Sequence, residues 1–166
     1  GEYLLTLSDG TMIYLNSEST LSFPVKFQGK ERKVYLTGEA YFKVSSDKKY
    51  RFDVALSNGF TVSAYGTEFN ISAYEDDDEI RATLANGSIE IRNEKKPIPQ
   101  VLSPGEQAVY NKVTDNMMVS DINLYMVTSW KDGKIVFRRT EMAEIAQRLS
   151  CHFNVNIILQ SKKIFN

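Results

Sequence analysis

Cys151 and His152 are the only thiol and the only imidazole in the chain, and they are adjacent. A nucleophile and base must face each other, whereas consecutive residues on a helix project about 100° apart. No second histidine exists to complete a triad. The pair therefore reads as a buried or half-buried cysteine followed by an exposed histidine at a helix end. A zinc site needs three or four ligands, and one Cys with one His cannot supply its soft part. The acidic run Glu75-Asp76-Asp77-Asp78-Glu79 lacks the alternating ligands and the glycine of a calcium loop, so it reads as a solvated turn. Carboxylates are numerous enough to leave a glycosidase pair open. The most noticeable is Glu39, beside Gly38, although a glutamate there more often satisfies exposed backbone or faces solvent. Glycines are isolated and build no phosphate cradle. No catalytic residue and no cofactor is assigned.

Aromatic residues are the other candidates. Tyr14, Tyr35, Tyr41, Phe42, Tyr65, Phe69 and Tyr74 suit strands through their packing, but several of them exposed on one sheet face would make a carbohydrate site. A carbohydrate-binding or adhesin-like module is thus the rival reading. A net charge of −1 with scattered lysines and arginines gives no footprint for nucleic acid or an anionic membrane. One cysteine excludes an internal disulfide framework. No apolar run approaches the roughly 20 residues that span a bilayer. The opening GEYLLTLSDG begins within a strand pattern, so the expectation is a fragment whose targeting and membrane segments lie outside it.

The elements that must position these residues centre on Lys33 to Tyr74. In KVYLTGEAYFKV, Val34 and Leu36, then Ala40, Phe42 and Val44, recur at every second position, the mark of strands with one buried face. Gly38 divides them, and a glycine inside a strand marks a bulge or a corner. Phe60 and Val62, then Phe69, Ile71 and Ala73, repeat the pattern around Gly66, predicting a second bent strand unit. Asp9-Gly10, Asn58-Gly59, Asn86-Gly87 and Asp132-Gly133 are hairpin signals, because both residues tolerate positive φ. Across Asn86-Gly87 the pattern pairs Ile80, Ala82 and Leu84 with Ile89 and Ile91. Asn93 to Pro99 reads as a charged loop, Ser103-Pro104-Gly105 as a turn, and Met117 with Val119 as a weak strand. Ten to twelve strands without a helix before residue 120 place this part in the sandwich or barrel class.

From Asn123 the pattern changes. Leu124 to Trp130 is a connector of undefined conformation, with Trp130 sealing a junction. Ile135, Val136 and Phe137 form a strand. Thr140 caps a helix from about Glu141 to Cys151, with Met142, Ile145, Ala146 and Leu149 on one face. Val155, Ile157 and Leu159 alternate as a further strand, so strand, helix and strand start a split βαβ unit.

Leu36, Gly38, Glu39, Ala40, Phe42 and Val44, followed by Gly66, Thr67, Phe69 and Asn70, give the chain its resemblance to the FecR-like family. These are periplasmic regions of bacterial anti-sigma factors that report on TonB-dependent transporters. LSDGTMIYLNSESTLSFP, LSPGEQAVYN and SWKDGKIVF extend the likeness over nearly the whole chain. The resemblance implies a mainly β fold: a jelly-roll-like antiparallel β-sandwich over residues 1–122, then a truncated C-terminal βαβ domain over 123–166. The latter resembles the short N-terminal domain of secretins and TonB-dependent transporters, as in Bacteroidetes members. It also implies that the sequons at Asn70 and Asn86 carry no glycan. The implied role is the signal-receiving region at the periplasmic face of the inner membrane. Its partners would be a transporter's N-terminal signalling domain and, through a cytoplasmic segment not in this chain, a sigma factor. Partner contact is expected at Ile135, Val136, Phe137, Met142 and Ile145. Those apolar residues serve equally to pack the rest of their own domain.

Overall fold

A computed structural model describes residues 2–134 together with 146, 149 and 150. Twelve strands are formed among the described residues. The first four are β1 (Tyr3–Thr6), β2 (Met12–Leu15), β3 (Thr20–Ser22) and β4 (Arg32–Lys43). Then come β5 (Phe52–Ala55), β6 (Phe60–Ala64), β7 (Glu68–Ala73) and β8 (Glu79–Asn86). The last are β9 (Ile89–Asn93), β10 (Lys96–Leu102), β11 (Glu106–Asn111) and β12 (Asn116–Asp121).

All twelve belong to one sheet that curls at β4. Residues 32–37 of β4 pair with β3 and, in parallel, with β5, which leads on through β6 and β9 to β10. Residues 38–43 pair with β2 and β7 instead, leading to β1 on one side and through β8 and β11 to β12 on the other. The change of partners falls at Gly38, the corner its position in the strand pattern predicts. Its φ is +96°, and a Cβ there would lie 2.3 Å from Ser19 Oγ and 2.7 Å from Ser19 Cα. Only glycine fits this backbone at this distance.

The curl brings the alternating apolar residues of both halves into one core. Phe42 and Phe69 stack at 5.0 Å, and Phe42 meets Phe52 of the other half at 6.2 Å. Phe60 touches Tyr110 across the core at 4.4 Å. Burying each such ring stabilises the fold by about 1.5–3 kcal/mol. At the foot of β4 the buried Arg32 guanidinium ties three loops together. Nη1 donates to Asp9 Oδ2 at 3.0 Å and to the Ser45 carbonyl at 2.8 Å, and Nε donates to the Tyr50 carbonyl at 3.0 Å.

Several turns differ from their sequence reading. β1 and β2 form a hairpin around Asp9-Gly10, closed by a Leu7 N–H bond to the Thr11 carbonyl, and β5 and β6 form another around Asn58-Gly59. β8 and β9 do not pair. Asn86-Gly87 instead carries the chain from one half of the sheet to the other, because Ile80 and Ile89 reach the core from opposite sides. The same crossing occurs at Gly66, so the expected second bent unit is two separate strands, β6 and β7, in different halves. Asp132-Gly133 is no hairpin turn among the described residues: Gly133, at φ +70°, ends a short 310 turn. The prolines at 97 and 99 lie within the edge strand β10 rather than in a loop, where a missing N–H costs no ladder bond.

Candidate functional site

Side chains on the outer face of a half-solvated sheet ought to be exposed. Along one row of this sheet they are not. The register sets Tyr14, Tyr41, Asn70, Thr83 and Gln107 side by side in one row across β2, β4, β7, β8 and β11. Tyr41, Asn70, Thr83 and Gln107 are all buried.

A strap formed by residues 123–133 covers that row. Asn123 caps helix α1 (Leu124–Thr128), its side-chain oxygen accepting from the Tyr125 N–H at 3.1 Å. α1 runs into a 310 turn, Ser129–Asp132, whose Trp130 is 8% exposed. The connector therefore has a defined conformation, set by the Asn123 cap and by the Gly133 N–H, which donates to the Trp130 carbonyl at 2.9 Å.

A chain of hydrogen bonds fastens the strap. Trp130 Nε1 donates to Asn70 Oδ1 at 3.2 Å, and Asn70 Nδ2 donates to Glu39 Oε1 at 2.9 Å. Asn16 Nδ2 donates to the other oxygen, Glu39 Oε2, at 2.9 Å. The Glu39 N–H donates to Ser19 Oγ at 2.8 Å, so the chain ends at the Gly38 corner. Beside it, the Lys131 ammonium lies 5.3 Å from the centre of the Tyr41 ring and 6.0 Å from that of Tyr14, a cation–π arrangement. Lys131 also bonds Asp132, which holds that exposed carboxyl below its ordinary range. Burial, reinforced by its hydrogen bond to Glu68 Oε2 at 2.8 Å, pushes the Tyr41 hydroxyl well above the usual phenol range.

The arrangement is one of mutual satisfaction. Glu39 accepts amide hydrogens at both oxygens, and Asn70, 2% exposed, uses both ends of its amide. Such a cluster locks geometry: a polar group left unpaired under the strap would cost about 1–3 kcal/mol. It explains Asn70 without reference to its sequon. The acidic turn has its own tie, since Lys112 Nζ donates to the carbonyls of Tyr74, Glu75 and Asp77. Among the described residues no group of three His, Cys, Asp or Glu side chains stands at metal-binding spacing.

Trp130 is buried against the outer face of the sheet, and the second part whose junction it is expected to seal lies outside the described residues. Ile135, Val136, Phe137, Met142 and Ile145 lie outside the described residues, as do Cys151, His152 and the strand expected at 155–159. Sequence reasoning missed the roles of Asn16, Asn70 and Lys131. Asn70 alternates with inward-facing Phe69 and Ile71, which is the pattern of an ordinary solvent position. Only the strap makes it a buried one.

Fold and site together define a class: a mainly β domain with a curled sheet whose outer face carries a latched connector. The chain belongs to the FecR protein family, whose sequence model matches residues 1–90. That region contains Asn16, Gly38, Glu39 and Asn70, and the strap with Trp130 lies beyond it. Two crystal structures of a candidate anti-sigma factor from Parabacteroides distasonis ATCC 8503, at 1.65 and 2.50 Å resolution, share the fold. Each is 27% identical with a TM-score of 0.84 and covers 93% of this chain and 71% of its own. A search of curated proteins found no match. Among the described residues no helix is long and apolar enough to cross a membrane.

Proposed function

We propose that this chain is the periplasmic signal-receiving region of a membrane-anchored anti-sigma factor, relaying the state of a TonB-dependent outer-membrane transporter by protein contact. In this reading it is not an enzyme and takes no cofactor. Membership of the FecR family supports the assignment, as does likeness to a protein described as a candidate anti-sigma factor. The observation that carries it is the latch from Trp130 through Asn70 to Glu39. A receiver must transmit a displacement, and a connector clamped by buried hydrogen bonds to the corner of the sheet transmits force where a flexible linker would absorb it.

Titration calorimetry of the chain against the isolated N-terminal signalling domains of TonB-dependent transporters from the same genome, with a glycan panel as control, tests the reading. Saturable binding to one signalling domain and to no glycan is expected. Binding to a glycan without response to any transporter domain would overturn it.

A further inference from the structure

A sheet edge carries unpaired N–H and C=O groups, and natural proteins blunt such edges. Among the described residues this fold has four. β10 contains two prolines and an irregular register between Lys96 and Gln100. β3 has only three residues and is followed closely by Pro24, and β1 has four. The remaining edge, β12, is unprotected: six residues without proline, glycine, lysine or bulge, paired with β11 in an unbroken register. Met118 is 69% exposed and Val119, on the opposite face, 37%.

Charge limits what can pair there. The four central residues, Met117 to Ser120, are uncharged. At one end Asp121 stands directly opposite Glu106, with neither carboxylate paired to a cation among the described residues. At the other end Asp115 precedes the strand, its carboxylate accepting from the Tyr110 hydroxyl at 2.8 Å. The neighbouring cation Arg81 is committed to Glu79. A strand acidic at both ends repels a second copy of itself whether the two run parallel or antiparallel.

We propose that β12 is the docking edge for a β-strand of the partner protein, apolar at its centre and basic at both ends. This deepens the receiver reading by placing the partner's strand. The ladder supplies the affinity, and the apolar centre with acidic ends supplies the choice. The position is consequential, because one residue beyond β12 the Ile122 N–H bonds the Gly105 carbonyl, and Asn123 then opens the strap. An added strand thus lies beside the latch.

The test is fluorescence anisotropy of two dye-labelled, end-blocked peptides with the chain: Lys-Val-Thr-Val-Thr-Val-Lys and its counterpart with Glu at both ends. The Lys-ended peptide should bind saturably, about tenfold more tightly than the Glu-ended one, with the difference shrinking in high salt. Asp121→Lys, an exposed site that leaves the core untouched, should reverse part of that preference, and Val119→Lys should abolish binding of both. Equal binding of the two peptides, indifference to Asp121→Lys, or a dimer that Val119→Lys disperses would each overturn the proposal. A transporter domain that still binds the Val119→Lys variant removes β12 as the docking edge and leaves the receiver reading standing. Failure of every transporter domain while the Lys-ended peptide binds does the reverse.

Discussion

Replacing Asn70 with alanine removes the acceptor of the Trp130 indole N–H and the donor to Glu39 Oε1. If the strap stayed closed, it would bury the Trp130 N–H without its acceptor, and Glu39 would lose one of its amide donors. A neutral hydrogen bond contributes about 1 kcal/mol, one to a charged group about 1.5–3 kcal/mol, so the closed strap loses about 2.5–4 kcal/mol. At 1.4 kcal/mol per decade this shifts the strap towards opening by roughly sixtyfold to roughly seven-hundredfold. The sandwich should survive, because the Phe42, Phe52, Phe60 and Phe69 core is untouched and the cost of opening the strap caps the loss. Trp130 is the only tryptophan, so its emission reports on the strap alone. Asn70→Ala should shift that emission to the red and steepen acrylamide quenching, while far-ultraviolet circular dichroism keeps its strand signal. Ser72→Ala, on the same face of β7 but outside the latch, should change neither. Emission and quenching of Asn70→Ala identical to the parent chain would refute the reasoning, since the strap would then be held without the bond.

Gly38→Ala places a methyl group 2.3–2.7 Å from Ser19 at φ +96°. Backbone strain of about 1–2 kcal/mol plus the clash with Ser19 backbone should destabilise the chain by at least about 3 kcal/mol in urea denaturation, and a loss below about 1 kcal/mol would contradict the corner. Tyr41 and Tyr110 are raised above the ordinary phenol value of 10.0, Tyr41 by burial and then Glu68, Tyr110 by its bond to Asp115. A group whose folded value is raised contributes stability that is full below its unfolded value and is lost as pH rises towards the folded one. Melting temperature should therefore fall as pH rises above 10.0, with Tyr41→Phe showing a flatter decline.

Much of the architecture was legible along the chain. Alternation around Gly38 located β4 and its corner because strand periodicity and glycine's backbone freedom are local properties. Asp9-Gly10 and Asn58-Gly59 marked true hairpins for the same reason. Asn86-Gly87 did not, since a turn motif permits a reversal without saying which strand lies on the far side of it. That choice was made by the core, which needed Ile80 and Ile89 from opposite halves of the sheet.

The sequence by itself determined the strand pattern, the corner and the family. These follow from spacing and residue type within short windows. Only the tertiary structure decided that Asn16, Glu39, Asn70 and Trp130 form one hydrogen-bonded chain, because they are up to 114 residues apart and meet only once the sheet has curled and the strap has crossed its outer face. Likewise, nothing in NMMVSD distinguishes an edge from an interior strand. Its lack of a second neighbour among the described residues belongs to the fold, and so does whatever the edge can bind.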